Sequence, residues 1–186
     1  SQLQTMSEGH ATEEEYDSLT RSSAESLVKL LNNYADRLQT VKENQEDSFR
    51  QDVDDVNDIL KNLQQLNSAI QKSQIHGDNA LEMQDQRNLL IDQLSYYMKV
   101  DVTYEPVGIG DGDTVDKLVI KTAGDSPRTL VDGDYATQLS PTGTNGEWND
   151  YYNIKLAALT NAKGETRKNS QETVLTDTEL YGSLQV

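Results

Sequence analysis

Thirty-two carboxylates are the residues of this 186-residue chain that could most readily do chemistry. Two of them converging across a cleft from rigid elements would form the acid and base of a glycosidase. Most instead fall on polar faces of helical stretches or in turns, where a carboxylate is solvated, and no second constellation supports a reaction. The stretch "GIGDGDTVD" (residues 108–116) looks calcium-like but breaks EF-hand spacing, because Val115 holds the place of an oxygen ligand. Asp-Gly at that point favours a hairpin turn. His10 and His76 lie far apart in sequence without a visible partner and read as surface histidines. Trp148, Tyr151 and Tyr152 in "EWNDYYNIKL" could form an aromatic platform for a sugar or peptide, or cover a small core. Cysteine is absent, which removes disulfides, thiolate metal sites and thiol catalysis together. With no glycine-rich phosphate loop, Ser-His-Asp set or cofactor fingerprint, the sequence predicts neither an enzyme nor a bound cofactor or metal.

The elements that would position these side chains are written in two grammars. Before Lys99 there are two glycines and no proline; from Lys99 onward come the other nine glycines and all three prolines. Both residues break helices, so a boundary near residue 98 separates a helical half (1–98) from a β-rich half (99–186). Thr12 with Glu15 makes a capping box, and the acids at 13–15 suit a helix N-terminus. From Leu27 through Leu31, Tyr34, Leu38, Val41, Gln45, Phe49, Val53, Val56, Leu60, Leu63 and Asn67 to Ile70, an apolar stripe advances about 3.6 residues per step. At about 1.5 Å per residue it spans roughly 65 Å, longer than any small globular core. The spacing predicts a long helix over about 13–75. Gly77 then serves as a stop, and Asn79 with Glu82 as the cap of a second helix over about 80–98.

A short turn between two amphipathic helices makes them antiparallel neighbours. The second helix covers only part of the first, so a surplus apolar seam is expected to await another segment or subunit. From residue 100 the period becomes two: Val100, Val102 and Tyr104; Leu118, Ile120 and Thr122; Tyr152, Ile154 and Leu156. These predict strands with one buried face, separated by turn-rich "GIGDGDT", "AGDSP", "VDGD" and "PTGTNGE". The fold class is α+β, an elongated antiparallel helical hairpin or bundle followed by a small antiparallel β-rich domain.

Composition narrows the partners. Hydrophobic residues make up 34% of the chain, below the usual 45–50%, which favours an elongated shape. A formal charge of -16 repels nucleic-acid phosphates and anionic membrane surfaces. No apolar run approaches a membrane span, and no signal peptide opens the chain. The abrupt start at "SQLQTM" reads as an internal piece of a longer protein.

One charge stands out within "DQRNLLIDQL" (85–94). Arg87 precedes Leu90 by one turn on the same face, where an apolar side chain is expected. Either its aliphatic stem covers apolar neighbours while the head reaches water, or its planar fork bonds carboxylates or helix-end carbonyls at a three-segment junction and fixes register. Asp85, Gln86 and Arg87 are the candidate register residues. No catalytic residue is expected.

Taken in order, "DDVNDILKNLQQLNSAIQ", "DQRNLLIDQLSYYMKVDVTY", "TLVDGDYATQL" and "ELYGSLQV" resemble the flagellar hook-associated protein 1 family, the FlgK family of hook–filament junction proteins. The upstream "LTRSSAESLVKLLNNYADRLQTV" is similar to the helix preceding this region in that family. "DQRNLLIDQLS" is the most specific part, and Asn88 departs from it, standing where the family usually has an acid. The resemblance implies a secreted, extracellular structural subunit of the bacterial flagellum, serving motility and exported through the flagellar secretion apparatus. It implies partners in other copies of itself in a ring, in the hook protein and in a second junction protein. "YGSLQV" would begin a returning helix packed on the long one, and the family offers no catalytic residue. A filament-type (flagellin-like) axial subunit and an adhesive or glycan-binding module centred on Trp148, Tyr151 and Tyr152 are the alternatives. The chain alone is expected to be monomeric.

Overall fold

The computed structural model describes residues 13–110, 112–142 and 153–175. Internal contacts group the chain into two units, residues 1–46 and 47–186. Helix α1 (Glu13–Ile75) contributes to both. Glu13, Glu14 and Glu15 occupy its first turn and Lys72 its last, each at the end of the helix dipole that favours its charge.

Within the first unit the side-chain bonds run along the helix itself. Ser26 and Thr40 hydroxyls donate to the carbonyls one turn back, Gln39 bonds Glu43, and Lys42 pairs with Glu46 at 3.6 Å. Its apolar residues are exposed: Leu27, Leu31, Tyr34, Leu38 and Val41 are 54–57% accessible. The stripe read from the sequence is therefore continuous in spacing but not in burial.

In the second unit the same stripe goes under cover. Phe49, Val53, Val56, Leu60, Leu63 and Ile70 are all buried. Gly77, at φ 83°, lets the chain reverse, with the Gly77 and Asp78 amides returning to the carbonyls of Gln74 and Ser73. Helix α2 (Leu81–Tyr97) follows. Its cap differs from the expected Asn79–Glu82 box. Ala80 takes the N-cap position in the left-handed region (φ 49°), no side chain caps the helix, and Asp78 Oδ1 accepts from the Ala80 amide at 3.1 Å. With Ala80 at the cap, Asn79 lies one residue too early to reach the first-turn amides, and its carbonyl instead accepts from Gln84 Nε2 at 2.7 Å.

Strands β1 (Val100–Gly110) and β2 (Asp113–Thr122) form a long antiparallel hairpin, register Val100↔Thr122 to Gly110↔Asp113, with an irregularity between Gly108 and Gly110. Among the described residues six short strands follow: β3 (Thr129–Asp132), β4 (Tyr135–Ala136), β5 (Leu139–Pro141), β6 (Ile154–Leu156), β7 (Thr160–Asn161) and β8 (Thr173–Leu175). They complete a five-stranded sheet ordered β1-β2-β3-β4-β7 and a three-stranded sheet ordered β5-β6-β8. One apolar core joins Phe49 to Leu63 of α1 and Leu94 of α2 with Leu118, Ile120, Leu130, Ile154 and Leu175. The architecture is α+β, a helical pair followed by antiparallel strands.

Two strands depart from the one-faced pattern. Leu118, Val119 and Ile120 are all buried, because β2 is an inner strand: Ile120 faces the core with Val131, while Val119 lies on the other face between Thr103 and Asp132. On the edge strand β1 the opposite holds, and Tyr104 stays 45% exposed. Its exposure leaves room for a contact with α2.

Candidate functional site

The side chains that fix helices to strands are mostly amides. Along α1, Asn57, Gln64 and Asn67 each reach a backbone group of the β-rich half. Asn57 grips Leu139 twice, donating Nδ2 to its carbonyl at 2.9 Å and accepting its amide at 2.7 Å. Gln64 Nε2 donates to Thr160 O at 2.6 Å, and Asn67 Nδ2 to Gly133 O at 3.0 Å. Because strand ends leave carbonyls and amides unpaired, each bond satisfies a group that would otherwise be buried at a cost of about 1–3 kcal/mol. The bonds also set where along α1 each strand sits.

Arg87 is 6% exposed. Its guanidinium lies over the Tyr104 ring, 5.0 Å from the centroid, and its Nε has no hydrogen-bond partner. Among the described residues an aromatic face on β1 receives the charge; the returning segment on which the three-segment fork depends lies outside them. Asp85 and Gln86 are exposed, with Gln86 on the rim of a groove. The three candidate register residues thus separate, one turned to the sheet and two to the outside.

That groove runs between the helices. Two adjoining hollows, of about 430 and 510 Å³, share Asn62, Leu90 and Gln93. Their apolar lining comes from Ile59, Leu66 and Ala69 of α1 and from Leu89, Leu90 and Tyr96 of α2. At one end the Tyr97 hydroxyl donates to Asp55 Oδ2 at 3.1 Å. Burial, followed by that bond and the charges of Asp55 and Asp52, pushes the Tyr97 pKa up.

A charged cluster crosses the outer face of the five-stranded sheet. Lys117 Nζ pairs with Glu105 at 2.9 Å and with Asp132 at 2.7 Å, and Arg167 also pairs with Asp132, which is 5% exposed. The Lys117 hydrogen bond holds the Glu105 carboxyl below its ordinary range. These pairings tie β1, β2 and β3 to the segment that carries Arg167.

The remaining sequence candidates fall as follows. Of "GIGDGDTVD", residues 108–110 end β1 and 113–116 begin β2, while Asp111 lies outside the described residues; among the described residues no three His, Asp or Glu side chains gather to hold a metal. His76 Nδ1 sits 2.7 Å from the Lys72 carbonyl. His10, Thr12, Trp148, Tyr151, Tyr152 and the "YGSLQV" segment lie outside the described residues. Of the sheet-gripping amides, only Asn67 carried a sequence signal, as a polar residue on the apolar stripe.

Residues 2–186 match the family described as the flagellar hook-associated protein FlgK helical domain. The chain belongs to that family. Among solved structures it is similar to the flagellar hook junction protein FlgK from Burkholderia pseudomallei, at 19% identity and a TM-score of 0.68. The alignment covers 99% of this chain and 30% of that one, so the chain spans under a third of that FlgK structure's length. No curated protein matches the chain. In the FlgK helical domain seen here, buried amides and one cation–π contact hold the helices to the sheets, while an apolar seam and an inter-helix groove face outward.

Proposed function

We propose that this chain is the helical-domain part of a structural subunit at the hook–filament junction of the bacterial flagellum, and not an enzyme. The observation that carries the reading is the family match over residues 2–186. The geometry supports it. The exposed residues Leu27, Leu31, Tyr34, Leu38 and Val41 are spaced 4, 3, 4 and 3 apart, the seam that a partner helix covers in a coiled coil. The groove along α1 and α2 offers a second such face.

On this reading the helical half, through residue 98, carries axial and torsional load, and the β-rich half from residue 99 braces a neighbour. Arg87 holds the two in register. The partners are further copies of the subunit in a ring, the hook protein and a second junction protein, met outside the cell after export through the flagellar apparatus. The test is removal of residues 47–175 from the natural protein in its own cells. Hooks without attached filaments, with filament subunits released to the medium, are the expected result; normal swimming would overturn the reading.

A further inference from the structure

The chain has 32 acidic and 16 basic side chains, yet one hollow of about 270 Å³ in the β-rich half is lined by Arg128, Arg167 and Lys168 and by no acid. Its wall is fixed. Arg167 is paired to the buried Asp132 and donates its amide to Leu159 O at 2.8 Å, and Ser170 Oγ accepts the Leu159 amide at 2.7 Å. Lys168 remains exposed at the rim. The hollow has room for one or two carboxylate side chains and is far too small for a helix, whose diameter is about 10–12 Å.

The counterpart lies at the other end of the same hairpin. Arg128 adjoins the base of the β1–β2 ladder, exchanging hydrogen bonds with Thr122 at 2.8 and 2.9 Å. At the far end, Asp113 and Asp116 are exposed and, with Asp78, border a hollow that has no basic residue. The ladder between Val100↔Thr122 and Gly110↔Asp113 covers ten residue steps, roughly 33 Å at 3.3 Å each. Asp113 at the tip is therefore too far from Arg128 at the Thr122 end to pair with it within one chain.

We propose that the Arg128–Arg167–Lys168 hollow receives the acidic hairpin tip, Asp113 and Asp116, of a second copy of this chain. Unlike ends of one element then meet between copies, a head-to-tail contact that closes into a ring when the rotation per subunit permits. Complementary charge chooses the partner and the register more than it adds affinity. The proposal rests on the assembly reading above and names the contact within it.

This chain has no cysteine, so once any cysteine elsewhere in the full-length protein is replaced by serine the contact can be trapped without background. The natural full-length protein carrying Asp113→Cys and Lys168→Cys, assembled in its flagella and oxidised, is expected to give a ladder of disulfide-linked subunits. Neither single variant, nor Asp113→Cys combined with Lys29→Cys, should do so, since bridged Cα atoms must lie within about 7 Å. Lys168→Glu should lower assembly at least tenfold, and Asp113→Lys in the same chain should restore it. Assembled junctions without the 113–168 link overturn the proposal and leave the junction role intact; a cysteine-free protein that never assembles overturns both. Inorganic phosphate occupying the hollow while the link fails to form would assign the site to a free anion and also overturn the proposal.

Discussion

The Arg87 guanidinium lies 5.0 Å from the centroid of the Tyr104 ring and ties α2 to the edge strand β1. A cation over an aromatic face contributes about 0.5–2 kcal/mol, more as it is desolvated. The cost on the other side is a buried guanidinium whose Nε is unpaired, about 1–3 kcal/mol. The two nearly cancel, so the pair adds little net stability while remaining sensitive to loss of the ring alone. Arg87→Leu should keep the helix and change unfolding free energy by about 1 kcal/mol or less. Tyr104→Leu, which leaves the charge buried without its partner, should cost about 1–2 kcal/mol. A double-mutant cycle in urea should then show a coupling of about 0.5–2 kcal/mol; a coupling near zero would mean that Arg87 acts only through the packing of its stem.

Asn57 is the strongest of the helix-to-sheet ties, because its single side chain satisfies both the amide and the carbonyl of Leu139. Asn57→Ala strands two buried backbone groups and should cost about 2–4 kcal/mol, against about 1–2 kcal/mol for Gln64→Ala, which strands one. Asn57→Asp keeps the acceptor and loses the donor, and should fall between wild type and Asn57→Ala. Denaturant midpoints ranked otherwise would show that β5 is held to α1 by the core alone.

The Tyr97 pKa is raised in the folded protein above its ordinary 10.0, first by burial and then by its bond to Asp55. As pH rises through 10, the unfolded chain loses this proton while the folded chain keeps it. Tyr97 therefore contributes stability that is fully present below pH 10 and is lost as the pH climbs through the folded-state pKa. Tyr97→Phe removes that dependence. The stability gap between wild type and Tyr97→Phe should narrow as the pH is raised above 10, measured by denaturant titration at each pH. A gap that widens over that range would contradict the Asp55 contact.

Much of this fold was legible because helix and strand write different periods. Leu27 to Ile70 announced one long helix, Gly77 its end, and the alternation at 118–122 a strand. Periodicity reports that a face is apolar, not what covers it. The stripe keeps its spacing across Gln45, yet Val41 is exposed and Phe49 buried. The burial of Val119 was hidden for a related reason, since its flanking residues Thr103 and Asp132 come from strands whose pairing is set across the chain. Local chemistry also misplaced the α2 cap by one residue, because the reversal put Ala80 rather than Asn79 into the last non-helical position. The amide ties were invisible at Asn57 and Gln64, whose partners lie 82 and 96 residues away. At Asn67 the polar interruption was a signal that a partner existed, though not which one.

The exposed seam allows folding and assembly to be separated. Leu31 and Leu38 are 57% and 56% exposed and belong to no buried cluster, so charging them removes little packing from the isolated chain. Surface substitutions away from caps and cores usually fall within about 0.5 kcal/mol. Leu31→Glu with Leu38→Glu should therefore leave the melting temperature of the isolated chain within about 2 °C. If a partner helix covers the seam in the natural protein, as proposed, the same pair places two carboxylates within it, each costing several kcal/mol to bury unpaired. Filament retention at the hook should be lost while export continues. A variant that melts many degrees early would show that the seam is already covered within the chain; one that swims normally would show that nothing docks on it.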